Sequence, residues 1–327
     1  MNFARHLPAA AAAVAALGLL LGAASPVSAQ QKIKVAYVRS LPMVPQIYAA
    51  QKGYFKAQGL DADIVTLNTG PAVVSAVVSG SVDIGFTATV PMILARAQHQ
   101  PIRIFVALNY EQYPDPEWVF MAASARSGVK TLADLKGKTI AINTFDGACD
   151  LMVRDHLLQA GIDLNAVKII SIPFPQMQAA LELGDADAVC IVQPFLTGME
   201  RSPKIKATVL AGGVVADLKQ NKRVTLDGYF AREDWLKKNA KAAAGFMRAI
   251  LAANRDLAKD LPLYRKLTAD EFKMPPAMLS ALPGAFNITS LVTEAQEYQP
   301  LINALTRTKM LKNPITPADL IYPINPQ

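Results

Sequence analysis

Ser40, Thr87, Thr89, Asn143, Thr144 and Gln193 are the side chains best suited to holding a small molecule, because hydroxyl and amide groups both donate and accept hydrogen bonds. Each lies in a short segment that follows an apolar run: Arg39-Ser40-Leu41, Phe86-Thr87-Ala88-Thr89-Val90-Pro91, Asn143-Thr144-Phe145-Asp146-Gly147 and Val192-Gln193-Pro194-Phe195. Where such runs are strands of an open α/β sheet, ligands gather at these carboxyl ends, beside helix N-termini whose backbone amides are unpaired. The second segment suits an anion, since its threonines precede a helix that tolerates Pro91 in its first turn. Thr87 and Thr89 serve equally well as caps of that helix. Asn143 and Thr144 either supply opposing donors or close their own turn. Leu41 and Phe145 complete the candidate contacts, and Phe86, Phe145, Phe174 and Phe195 flank strand ends where a flat solute would stack.

Covalent chemistry has a weaker basis. Cys149, Asp146 and His156 fall in no CxxC, HExxH or HxH setting, and no base is paired with a nucleophile by spacing. No metal and no cofactor is expected. Cys149 and Cys190 are the two cysteines of the chain; whether they pair in an oxidising compartment is left open, because sequence separation does not fix their distance. A formal net charge of +7 without a dense Lys/Arg run interleaved with aromatics argues against nucleic-acid binding.

The elements that must position these residues are legible from periodicity. Met1–Ala29 has a basic head at Arg5, an Ala/Leu run and the small residues Val27 and Ala29, the pattern of a signal peptide cleaved after Ala29. Strands are expected over 32–38, 61–67, 82–86 and 102–108, alternating with helices over 46–56, 71–79 and 91–98. This is the signature of βαβ units on a mainly parallel sheet. Asn109 to Glu117, with Pro114 and Pro116, reads as a crossover. The alternation then restarts, with strands over 118–123, 138–142, 167–172 and 186–192 and helices over 146–159 and 176–183. From Ala240 the pattern is helical. The expected division is therefore lobe I over 30–112 and 232–327 and lobe II over 113–231.

Three motifs in order carry a family resemblance: Ser79-Gly80-Ser81-Val82-Asp83-Ile84-Gly85, Leu132-Ala133-Asp134-Leu135-Lys136-Gly137-Lys138-Thr139-Ile140-Ala141, and Ala180-Leu181-Glu182-Leu183-Gly184-Asp185-Ala186-Asp187-Ala188. With Pro194-Phe195 after the third, they resemble the nitrate/sulfonate/taurine-binding proteins of ABC importers across nearly the whole chain after residue 29. The resemblance implies an α/β, two-lobed periplasmic-binding-protein-like fold of type II, with a two-strand hinge and a helical C-terminal segment. It also implies a monomer that hands a small ligand to a membrane permease and its ATPase. Gly80 and Gly184 should end helices, and Asp83 and Asp187 should be structural. Thr225-Leu226-Asp227 resembles a stretch of taurine binders in which the aspartate holds the ligand's amino group, and a charge-assisted hydrogen bond of that kind contributes about 1.5–3 kcal/mol. Val192 stands where those proteins carry an aromatic residue and Leu41-Pro42 where they tend to carry an acid, so the resemblance implies a sulfonate-, nitrate- or taurine-like solute, or another nitrogen-containing organic one, and does not single out taurine itself. An enzyme resembling the pyrimidine-synthesis proteins related to the family is the competing reading, with Cys149 as its nucleophile.

Overall fold

The computed structural model describes residues 30–114, 118–221, 223–275, 278, 280, 282 and 294–324. The expected signal peptide lies outside these residues, as do 115–117 of the expected crossover and Pro276 and Pro283 of the C-terminal segment. Residues 31–327 form one compact unit.

The expected alternation is present. The first sheet contains β1 (Gln31–Val38), β2 (Leu60–Leu67), β3 (Ile84–Ala88) and β4 (Ile102–Gln112), and the second contains β5 (Val119–Ala123), β6 (Thr139–Ile142), β7 (Lys168–Ser171), β8 (Ala188–Val192) and β9 (Thr208–Gly212). A final strand, β10 (Arg223–Arg232), returns to the first sheet. The two sheets share one plan, β2-β1-β3-β10-β4 and β7-β6-β8-β5-β9. In each, the first three strands are parallel, and the fourth, antiparallel to its neighbours, directly joins or is joined by a strand of the other sheet. The inner strands β3 and β8 are buried almost throughout, as parallel strands covered on both faces must be.

Two expectations are corrected here. The crossover expected from Asn109 begins later, because β4 runs on to Gln112 with Asn109 and Glu111 buried. The expected second lobe ended at 231, yet Arg223–Ala231 pairs with β3 and β4 inside the first sheet. The second connection between the sheets is thus 213–222. Long-range pairing decides this, since Tyr229 and Phe230 are fully buried between strands of the first sheet.

The short motifs act as scaffold. Asp83 accepts a hydrogen bond from the Lys34 amide at 2.8 Å, and Asp187 accepts one from the Thr139 amide at 2.9 Å, so each ties the start of its sheet's central strand. Gly80 and Gly184, which follow helices, have φ of 78° and 87°, where a side chain would be strained. The helix Ala240–Lys259 packs on the first sheet's helices. Its Phe246 stacks on Phe55 with centroids 5.2 Å apart and meets Tyr229 edge-on at 4.8 Å. Further along, Ile321 bridges Ile104 at the edge of β4. The helix Gln299–Arg307 reaches the helix Ala148–Gln159 of the second sheet. There Arg307 pairs with both oxygens of the buried Asp155, at 2.8 and 3.0 Å.

Candidate functional site

Between the carboxyl ends of the two sheets lies a cleft of about 680 Å³ of empty space, counted to its open mouth. Both sheets contribute walls. From the first come Ser40, Thr87, Asn109 and Asp227, and from the second Asn143, Thr144 and Gln193. Apolar surface is supplied by Trp118, Phe174, Val192 and Leu226, among others. Among the described residues that line it there is no Lys, Arg or His.

The floor is built by an irregularity in β10. The register against β4 shifts between Thr225 and Asp227 and again between Asp227 and Gly228, so that Asp227 faces Asn109 while Leu226 is left without a partner. A regular strand sends neighbouring side chains to opposite faces. The bulge lets Leu226 and Asp227 both reach the cleft, the usual way in which such a feature re-aims a side chain. Gly228 is required beside it, since a Cβ there would lie 2.2 Å from the Val106 carbonyl oxygen. The Asp-Gly pair is thus part of a strand and not a turn.

Asp227 is 6% exposed, and burial pushes its carboxyl well above the usual carboxylate range. The Asn109 side chain opposes that shift and the nearby Glu111 adds to it. Asp227 and Asn109 are opposed across the β10–β4 pair, and both are buried. Asn109 is oriented by its Oδ1, which accepts from the Tyr110 amide at 2.9 Å.

The other expected contacts divide. Ser40, Thr87, Asn143, Thr144, Gln193 and Asp227 line the cleft together. Gln193 is held by its Oε1, which accepts from the Thr197 hydroxyl at 2.9 Å. The Thr144 hydroxyl donates to the Phe145 carbonyl at 3.1 Å, so it closes its own turn while facing the cleft. Leu41, Thr89 and Phe145 are corrections. Leu41 is fully buried in the core. Thr89 is fully buried and donates to the Thr225 carbonyl at 3.1 Å, so it fastens the helix Thr89–Ala97 to β10. That helix has Ala88 at its N-cap and no side-chain cap, so neither threonine caps it. Phe145 is 46% exposed and lies outside the cleft lining. Of the four candidate aromatics only Phe174 lines the cleft, backed by Phe195 at 5.8 Å. Phe86 is core.

Asn109 and Trp118 were not among the expected contacts. Asn109 lies in the polar end of β4, Asn109-Tyr110-Glu111-Gln112, where no local pattern marks it as a strand residue.

Cys149 and Cys190 form a disulfide, with Cα atoms 5.5 Å apart. It joins the helix that starts at the cleft to β8, and it consumes the nucleophile the enzyme reading needed. His156 is buried, its Nε2 2.8 Å from the Gly213 carbonyl, and burial holds its pKa below the ordinary value. Among the described residues no group of three or more His, Cys, Asp or Glu side chains could hold a metal ion. Nor is any described helix long and apolar enough to cross a membrane.

Two mixed sheets joined by two connections, with a cleft between their carboxyl ends, define the periplasmic-binding-protein fold. Residues 42–260 match the NMT1/THI5-like family, and the chain belongs to that family. It is 24% identical over 251 residues to the taurine-binding periplasmic protein of Escherichia coli (strain K12), covering 77% of this chain and 73% of that protein. It is 23% identical over 257 residues to the nitrate/nitrite binding protein NrtA of Nostoc sp., covering 73% of this chain and 57% of that protein. In structure it resembles the alkanesulfonate-binding protein SsuA from Xanthomonas axonopodis pv. citri bound to MOPS. That match has a TM-score of 0.72 and 20% identity, covering 89% of this chain and 98% of that one.

Proposed function

We propose that the protein is the periplasmic solute-binding component of an ABC importer. On this reading it is exported with cleavage after Ala29 and acts as a monomer. It captures a small sulfonate-, nitrate- or taurine-like solute, or another nitrogen-containing organic one, and delivers it to a membrane permease driven by an ATPase. The observation that carries the reading is the cleft itself: its polar groups come from both sheets, and the chain passes from β4 of the first sheet to β5 of the second and returns from β9 to β10. Two such strand connections are the hinge of a clamp, in which solute binding favours the closed arrangement by the difference in its contacts to the two states. The lobes would be 30–112 with 223–327, and 113–222. Ser40, Thr87 and Asp227 would hold the solute from one side, and Asn143, Thr144 and Gln193 from the other.

Binding without turnover fits the groups present, because Cys149 is tied in a disulfide and His156 is buried against Gly213. The test is calorimetry and thermal unfolding of the purified protein with sulfonates, taurine, nitrate, carboxylates and amides. A solute at a hundred times its Kd adds about 2.7 kcal/mol to stability. Absence of heat and of any shift across the whole panel would overturn the reading.

A further inference from the structure

We propose that Thr197 is a positioning residue for solute binding: its hydroxyl fixes the Gln193 side-chain amide so that the Nε2 end, an N–H donor, is the one presented to an oxygen of the solute. This rests on the solute-binding reading and deepens it for the same cleft.

An amide side chain has a donor end and an acceptor end, and what it offers a solute depends on which end the protein holds. Gln193 lines the cleft two residues before the helix Phe195–Glu200. The first amides of a helix have no acceptor inside it. The Thr197 amide is one of these, and it donates to Gln193 Oε1 at 3.4 Å. A backbone N–H only donates, so this contact identifies the held end as the oxygen. The Thr197 hydroxyl donates to the same atom at 2.9 Å and is the stronger of the two ties. Nε2 is then the end left for the cleft.

Thr197 had an alternative. A helical threonine can donate to the carbonyl four residues back, as Thr268 does to Tyr264 at 2.9 Å and Thr306 to Ile302 at 2.8 Å. For Thr197 the residue four back is Gln193 itself, and the hydroxyl goes to its side chain instead of its carbonyl. Thr197 is 4% exposed and lies outside the cleft lining, so it acts through Gln193 and not on the solute. The surroundings keep the pair in place. The Gln193 backbone amide donates to the Trp118 carbonyl at 3.1 Å, and Phe195 at the helix start packs on Phe174 and Phe272 with ring centroids 5.8 and 5.7 Å away. A donor held in this way needs little further ordering when a solute arrives. It suits sulfonates, nitrate, carboxylates and amides alike, since all carry an acceptor oxygen.

The test is calorimetry of the purified full protein with ethanesulfonate, taurine, nitrate, acetate and acetamide, each probe that wild type binds being carried through the variants. Thr197→Val keeps the volume and removes the hydroxyl, and it should weaken binding about threefold to tenfold, the cost of ordering a freed glutamine. Thr197→Ser restores the hydroxyl and should return the affinity to within about twofold of wild type. Once Gln193→Leu has removed the amide, adding Thr197→Val should weaken binding no further, a coupling that a purely structural threonine would not show. Gln193→Glu keeps the acceptor that Thr197 holds and places a second oxygen where Nε2 stands, so it should weaken the same probes by at least about tenfold. Unchanged affinity in Thr197→Val or in Gln193→Glu, a loss that serine does not restore, or an equal loss with and without the Gln193 amide would overturn the proposal and leave the solute-binding reading standing. No heat and no thermal shift from any of these probes with wild type would remove both.

Discussion

Glu111 should make the stability of this protein depend on pH through its connections between the sheets, and Glu111→Gln should remove that dependence. The side chain stands one residue before the end of β4 and is fully buried. Its Oε1 accepts from the Val119 amide at 2.9 Å, at the far side of the first connection, and its Oε2 accepts from the Val214 amide in the second. One carboxyl therefore ties both connections. Burial pushes it from 4.5 up to about 7, against the pull of the two amide hydrogen bonds. Because the folded-state value is raised, the contribution to stability is full below about pH 4.5, falls as pH rises, and is gone above about 7. At 1.36 kcal/mol per pH unit, that shift amounts to about 3 kcal/mol. His156 acts in the opposite sense, since burial lowers its pKa and its contribution is lost as pH falls. The quantity to measure is therefore the difference between wild type and Glu111→Gln, in which His156 cancels. Glutamine keeps one acceptor and turns an N–H toward the other amide, costing about 1–3 kcal/mol on its own. Urea unfolding followed by circular dichroism from about pH 4.5 to about 8 should show the wild-type advantage shrinking by roughly 3 kcal/mol toward high pH. Parallel curves for the two proteins across that range would refute the reasoning.

Replacing Cys149 and Cys190 together by serine frees a loop closed across 41 residues of sequence, and the chain-entropy relation puts the loss at about 4 kcal/mol. Scanning calorimetry should show a lower midpoint, and thiol titration of the unfolded, unreduced wild type should find none; two free thiols would contradict the pairing. Gly228→Ala places a Cβ against the Val106 carbonyl, so it should cost about 3 kcal/mol and distort the Asp227 bulge; a midpoint unchanged from wild type would contradict the geometry. Arg307→Met leaves the buried Asp155 with the Ala216 amide and without its cation, for an expected loss of about 3 kcal/mol in urea unfolding, and a loss near zero would show the pair to be idle.

The fold was legible wherever local periodicity carries the information. Alternating apolar runs marked the parallel strands, and the motifs around Asp83 and Asp187 marked their ties. What escaped is non-local. The end of β4 carries Asn109, Tyr110, Glu111 and Gln112, a polar run that reads as a loop until its partner β10 is known, and the sheet to which β10 belongs is fixed by pairing across more than a hundred residues. Loop position found most of the cleft, because carboxyl ends of strands converge by topology. It did not tell Thr87 from Thr89, which lie two residues apart and face the cleft and β10 respectively. It also missed Asn109, whose importance comes from a bulge that sequence does not announce. The disulfide was open for the same reason: nothing local brings the first turn of a helix to the middle of β8.

The central claim is that the cleft captures a small molecule, and native mass spectrometry of the freshly purified protein tests it most directly. The predicted result is a single low-mass adduct at one per chain, released on denaturation, or, for protein stripped by mild unfolding and refolding, recovery of such an adduct on adding a solute that raises its unfolding midpoint. A bare protein mass in both conditions, with no solute of any class giving an adduct or a shift, would contradict it.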